Sequence, residues 1–200
     1  MNHFDLTERT RHSLTIIRRP FRLLNQGPTN DCGPFATTMA LHALGLSTLP
    51  VDSVKDVMRL WRVPGIGATT PRAIHRALRG FDARGRGGWF GSIGDLRAAI
   101  DSDLPSLVIV RPTDSHLCTW NALHYRVVVG YALDIDAPGG GWLYFACSSA
   151  PQQPIFPDSA AAPANVVLSF TDFERQWRTW ATWRWHLTIE ADFAIRAPAE

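Results

Sequence analysis

Asn25-Gln26-Gly27-Pro28-Thr29-Asn30-Asp31-Cys32-Gly33-Pro34 runs directly into an apolar segment, Phe35 to Leu44, and the reading of this junction decides the fold. Gly27-Pro28, Thr29-Asn30 and Gly33-Pro34 are turn-forming pairs, so the backbone around Cys32 is bent and constrained. Phe35, Met39, Ala40, Ala43 and Leu44 then recur at helical spacing, with Gly45 as a C-terminal stop. Cys32 therefore sits at or near a helix N-terminus. Unpaired N–H groups and the helix dipole favour negative charge there, which lowers a thiol's pKa and raises the fraction of reactive thiolate. Asp31 opposes this unless its carboxylate caps the helix or faces away. Taken alone, Cys32 reads as an inert buried cysteine ahead of a nucleophile.

Two other residues favour chemistry. Gln26 stands upstream across a tight loop that can return its side-chain amide beside the sulfur. That amide and the N–H of Cys32 would form an oxyanion hole for a tetrahedral acyl intermediate. His124 opens His124-Tyr125-Arg126-Val127-Val128-Val129-Gly130-Tyr131, a β-branched run that reads as a buried strand. A histidine at a strand start projects from a rigid element and can meet a helix N-terminus, the usual arrangement of an activated thiol and its base. His116 is a rival base, but the polar loop Arg111 to Asn121 places it less firmly.

Gln26, then Cys32-Gly33-Pro34 entering a helix, then the distant strand from His124 to Tyr131, together resemble the papain-like cysteine peptidases. The nearest group is the bacteriocin-leader-processing peptidases, which cleave after a double glycine. The resemblance spans roughly Arg18 to Trp185. It implies an α+β fold, with an N-terminal helical half carrying the nucleophile and a C-terminal antiparallel β-sheet carrying the histidine. It also implies Cys32 as nucleophile, His124 as general base and Gln26 as oxyanion donor. In that family an Asp or Asn near the end of the next strand, usually followed by Pro, orients the histidine. Here that strand reads Trp142-Leu143-Tyr144-Phe145-Ala146-Cys147-Ser148-Ser149, so Ser148 takes the carboxylate's place and Ser149 the proline's. Asp134 or Asp136 from the intervening loop are alternatives to Ser148, as is the lack of any third residue.

The rest of the chain supplies the elements such a fold needs. Thr15-Ile16-Ile17 and Phe21 to Leu24 read as strand leading into the loop. Asp52 to Trp61 reads as a helix, and Thr70-Pro71 caps another that ends at Gly80. Arg84 to Gly88 reads as a flexible basic connector, and Ser92 to Asp95 as a capping box opening a helix to Ile100. Leu107 to Val110 is a short buried strand, Asp134 to Gly141 a hairpin turn, and Pro151 to Pro163 an extended loop. Thr171 to Glu174 reads as a second capping box, and Trp183 to Glu190 as a half-buried strand. Residues 1–17 form an N-terminal extension and 18–195 a single domain. The clustered Trp177, Trp180, Trp183 and Trp185 read as core packing ahead of a stacking platform for a sugar or peptide.

Composition narrows the function classes. The chain has 200 residues, 46% of them hydrophobic, which suits a globular domain with a sizeable core. A net charge of +2 without a concentrated Lys/Arg run gives no indication of nucleic acid. Cys32, Cys118 and Cys147 make neither a paired framework nor a metal spacing, so a reducing compartment and no cofactor are expected. The start shows no secretory signal and no stretch is long enough to span a membrane, which points to a cytoplasmic protein, and the family resemblance implies a bacterial source. The expected activity is cleavage of a peptide or amide bond, in a peptide or protein substrate, through a thioester acyl-enzyme. Side-chain deamidation and acyl transfer share that intermediate. The alternative, which the missing Asp-Pro favours, is a non-catalytic papain-like binding module.

Overall fold

The structure, a computed structural model, describes residues 13–46, 48–59, 62–63, 68–113, 123–157 and 159–192. The helix expected after the loop is α1, Cys32–Ala43. It starts at Cys32 itself, so Gly33 and Pro34 form its first turn, where a missing proline N–H costs no helical bond. Gly45 closes the end with a positive φ of 67°, which glycine adopts without steric penalty. Helices α2 (Val51–Met58) and α3 (Pro71–Gly80) follow, the second capped by Thr70, whose hydroxyl accepts from the Ala73 N–H. Helix α4, Ile93–Asp101, opens with the expected reciprocal capping box between Ser92 and Asp95. Helix α5 is Phe170–Trp177.

The strands form one antiparallel sheet in the order β2-β7-β3-β4-β5-β6, with β1 also paired to β4. Their bounds are β1 Leu14–Ile16, β2 Ala83–Gly88, β3 Ser106–Val110, β4 His124–Leu133, β5 Gly141–Ala146, β6 Val166–Ser169 and β7 His186–Ala191. Side chains alternate across this sheet and fill two cores. Leu107, Ile109, Tyr125, Val127, Tyr144, Ala146, Leu187 and Ile189 pack against α1, α2 and α3. Val108, Val110, Val128, Leu143 and Phe145 pack on the other face against α4 and α5. The helical half thus precedes the sheet and covers one face of it. A bulge between Val128 and Gly130 shifts the β4–β5 register, which is why Val127 and Ala132 share a face although five residues separate them.

Several expectations are corrected. Arg84 to Gly88 is the edge strand β2, not a connector. Glycine is required there by packing, because a Cβ at Gly85 would fall 2.6 Å from the Leu187 side chain. Phe21 to Leu24 forms no strand; Phe21, Leu23 and Leu24 pack irregularly against the larger core. Helix α5 is capped by the Ser169 hydroxyl accepting from Asp172 N–H, two residues before the expected box. Strand β6 carries no alternation strong enough to announce itself. Strand β7 is buried on both faces, since His186 and Thr188 are covered as well as Leu187 and Ile189. Of the tryptophan cluster, Trp177 and Trp185 are core, whereas Trp180 and Trp183 are exposed. His116, Cys118, Trp61 and the Pro64 to Gly67 loop lie outside the described residues.

Gly33 tests the packing at the nucleophile helix. A Cβ built there would stand 2.4 Å from Cβ and 2.5 Å from Cγ2 and Oγ1 of Thr69, none of which is the end of a long flexible chain. Gly33→Ala gains about 1 kcal/mol of helix propensity but incurs an overpacking cost of about 1–3 kcal/mol. Thermal unfolding is expected to give a lower Tm for the variant; an unchanged or raised Tm contradicts this packing.

Candidate active site

Helix α1 presents Cys32 from its first residue, and β4 presents His124 from its first residue. The two starts meet because α1 packs across the face of β4 that carries Tyr125, Val127 and Val129. Cys32 is partly buried and His124 is buried. Burial pushes the Cys32 thiol up, yet its pKa ends below the ordinary value. A hydrogen bond and the charge of His124 pull it down, with further help from the backbone N–H groups of Tyr125 and Gly33. Burial likewise pulls His124 down, and hydrogen bonds with Cys147 and Cys32 overcome it, raising the imidazole to about 9. Both shifts favour a thiolate–imidazolium pair.

Asp31 does not spoil this arrangement. Its carboxylate makes no capping bond to α1 and is taken up by two cations instead. Lys55 Nζ lies 2.7 Å from Oδ2 and Arg62 Nη2 lies 2.5 Å from Oδ1. Burial raises the Asp31 pKa, but these two partners outweigh it and hold the carboxyl below its ordinary range. The same Arg62 nitrogen donates to Asn30 O at 3.2 Å, so one guanidinium fastens the loop just before the nucleophile.

Gln26 is held inside its loop. Its Nε2 donates to Thr29 O at 2.7 Å, and its Oε1 accepts from the Ser148 hydroxyl at 2.6 Å. The Gln26 N–H also donates to Ser148 O at 3.0 Å. A primary amide carries two donor hydrogens, so one remains for an oxyanion after the Thr29 bond is made.

Ser148 is therefore corrected as the orienting residue: it secures Gln26, not His124. The contacts alternate along the chain after β5. Cys147 Sγ lies 3.2 Å and Ser149 Oγ 3.2 Å from His124 Nε2, while Ser148 between them points to Gln26. Asp134 and Asp136 are excluded by distance, because they follow the far end of β4. Nine residue steps at roughly 3.3 Å put that end about 30 Å from His124. Cys147 and Ser149 were missed in the sequence; the signal available was the two-residue period of an extended chain, which pairs 147 with 149 against 148. Among the described residues, no group of three or more His, Cys, Asp or Glu side chains could hold a metal ion.

No family model matches the chain, and no curated protein matches it by sequence. Solved structures do match. A C39-like peptidase from Bacillus anthracis aligns with a TM-score of 0.60 at 15% identity, over 88% of this chain and 97% of that one. A digestive procathepsin L 3 from the larval midgut of Tenebrio molitor aligns at 0.57 and 13% identity, over 88% of this chain and 68% of that one. A double-glycine-motif protease from an AMS/PCAT transporter, in complex with its leader peptide, aligns at 0.51 and 13% identity, over 84% and 90%. The fold is thus papain-like, with helices preceding an antiparallel sheet as in the C39-like peptidases.

The Asp31 clamp gives a stability prediction. Its carboxyl pKa is depressed on folding, so its contribution is present above the ordinary value of 3.8 and is lost as pH falls through the folded value. Asp31→Ala is expected to cost about 1–3 kcal/mol near neutral pH, since it strands the largely buried Arg62 guanidinium and removes the partner of the half-exposed Lys55. Urea unfolding at neutral pH and again below about pH 3 checks the sign: the penalty should shrink in acid, where wild type has lost the same interaction.

Proposed function

We propose that this protein is a cysteine peptidase or amidase that cleaves a peptide or amide bond through a thioester acyl-enzyme. The observation carrying this reading is the contact of Cys32 at a helix N-terminus with His124 at a strand start, with the thiol shifted down and the imidazole up. His124 takes the Cys32 proton, and the thiolate attacks the substrate carbonyl carbon. The carbonyl oxygen becomes an oxyanion held by the Cys32 N–H and the Gln26 amide. As the intermediate collapses, the C–N bond breaks and His124 gives its proton to the leaving amine. Water, deprotonated by His124, then attacks the thioester, releasing the acid and restoring the thiol. A peptide substrate is supported by the structural neighbour that binds a leader peptide, which makes small residues before the cut the first to try.

One observation favours the non-catalytic reading: the partners of His124 Nε2 are a thiol and a hydroxyl instead of a carboxylate. Labelling with iodoacetamide across pH, resolved by peptide mass spectrometry, separates the two. A working dyad gives fast labelling of Cys32 that rises with pH through a midpoint below the ordinary thiol value of about 8.5. His124→Ala should return that midpoint to about 8.5 and slow labelling at pH 6 by tenfold or more. Peptides ending their acyl side in Gly-Gly serve as first substrates, and Cys32→Ala should abolish their turnover without lowering Tm. Slow, His124-independent labelling with no turnover would leave the binding module.

A further inference from the structure

Nε2 of His124 is occupied by sulfur and hydroxyl, which leaves Nδ1 for the Cys32 side. For Nδ1 to accept the Cys32 proton, the hydrogen of the neutral imidazole must sit on Nε2, and an acceptor must hold it there. A neutral thiol accepts weakly, and if it donated to Nε2 it would force the hydrogen onto Nδ1 and remove the base. A thiolate is a strong acceptor and fixes the productive tautomer.

The surroundings of Cys147 suit a thiolate. Its backbone is clamped by Asn165, which accepts from the Cys147 N–H at 2.8 Å and donates to the Cys147 carbonyl at 2.8 Å. A third bond from Asn165 Nδ2 to Pro151 O, 3.0 Å long, ties that clamp to the following loop. Two residues along β4 from His124 lies Arg126, fully buried. Its Nη1 reaches Gln176 Oε1 at 3.4 Å and its guanidinium lies over the Phe145 ring, 5.9 Å from the centroid, while among the described residues its Nε and Nη2 have no hydrogen-bond partner. A guanidinium stays charged in a protein, so a buried one with orphaned donors calls for a nearby anion. Its charge bears on Cys147, and burial, which raises that thiol, is outweighed by His124, Arg126 and Ser149; the thiol falls to about 6. The charged and titratable groups around the site are thus Cys32, His124, Tyr125, Cys147 and Arg126.

We propose that Cys147, in contact with His124 Nε2, is the positioning residue of the active site, a thiolate standing where related enzymes use a carboxylate or carboxamide. It touches no substrate and acts through the imidazole. This rests on the Cys32–His124 reading above. Ser149 is a secondary acceptor at the same nitrogen and also hydrogen-bonds Cys147 Sγ at 3.4 Å.

The test measures Cys32 alkylation by iodoacetamide, site-resolved and across pH, in wild type and in Cys147→Ala, Cys147→Asn, Cys147→Asp and Ser149→Ala, with near-ultraviolet circular dichroism as the check of folding. Cys147→Ala should slow Cys32 labelling at pH 7 by about tenfold or more, the effect of one pKa unit on thiolate fraction. Cys147→Asn and Cys147→Asp, which restore an oxygen acceptor, should recover most of that loss, and Ser149→Ala should have the smaller effect. Long-range ¹H–¹⁵N spectra of wild type should place the His124 hydrogen on Nε2 when the ring is neutral. Folded Cys147→Ala labelling like wild type, an unrecovered loss in folded Cys147→Asn and Cys147→Asp, or a neutral His124 protonated on Nδ1, each overturns the proposal. If Cys147→Ala does not fold, the wild-type tautomer decides. If His124→Ala leaves Cys32 labelling unchanged, the dyad itself fails; if only Cys147→Ala does so, the dyad stands and the positioning role falls.

Discussion

Everything at this site depends on one contact between two chain ends, the first residue of α1 and the first residue of β4. Neither Cys32 nor His124 is reactive by type alone at neutral pH; each needs the other's charge in a place where water is scarce. Packing provides that place. Alternate β4 residues Tyr125, Val127 and Val129 enter the core shared with α1, and this fixes helix and strand in register with their functional ends together. Tyr125 contributes twice, its N–H supporting the Cys32 sulfur and its hydroxyl donating to Thr69 O at 3.1 Å. Thr69 is the residue against which Gly33 packs, so the glycine after the nucleophile is a packing requirement as much as a conformational one.

A reactive thiolate also requires that its neighbours' charges be settled. Asp31 could have repelled it from one residue away. Two cations from α2 and the residues beyond it absorb that carboxylate instead, and Arg62 reaches the Asn30 carbonyl besides. Gln26 is neutral and held in place, bonded to Thr29 through its side chain and to Ser148 through both side chain and backbone. On the proposed reading Gln26 is an oxyanion donor that is already oriented and needs no rearrangement as charge develops, which is where such groups lower barriers most.

How much of this was legible in the sequence follows from which forces each feature depends on. Helix α1, its stop at Gly45, the capping boxes and the β-branched β4 are local patterns, and the chain states them directly. The places of Cys32 and His124 in the fold were legible for the same reason, because each marks the boundary of such an element. Strand β2 was hidden because its glycines are chosen by Leu187 and His186, residues a hundred positions away. Ser148, the expected third member, bonds Gln26 while its neighbours Cys147 and Ser149 contact His124, since a count along the strand cannot tell which side chain of an alternating pair faces inward. The bulge in β4 adds to this, because it moves the β4–β5 register by a step that no local pattern announces.

The exchange of a carboxylate for sulfur changes what must surround it. A carboxylate beside histidine is anionic at neutral pH without assistance, whereas a thiol buried among apolar groups stays protonated. The position therefore needs a source of positive potential that a carboxylate site does not. Arg126 is such a source, projecting from the same strand two residues on, in a core of Val128, Phe145, Phe173 and Trp177 where an arginine is otherwise costly. Its incomplete hydrogen bonding looks like a defect when Arg126 is considered by itself. Considered with Cys147, it is the charge that, on the proposed reading, lets a cysteine act as the anion of the site.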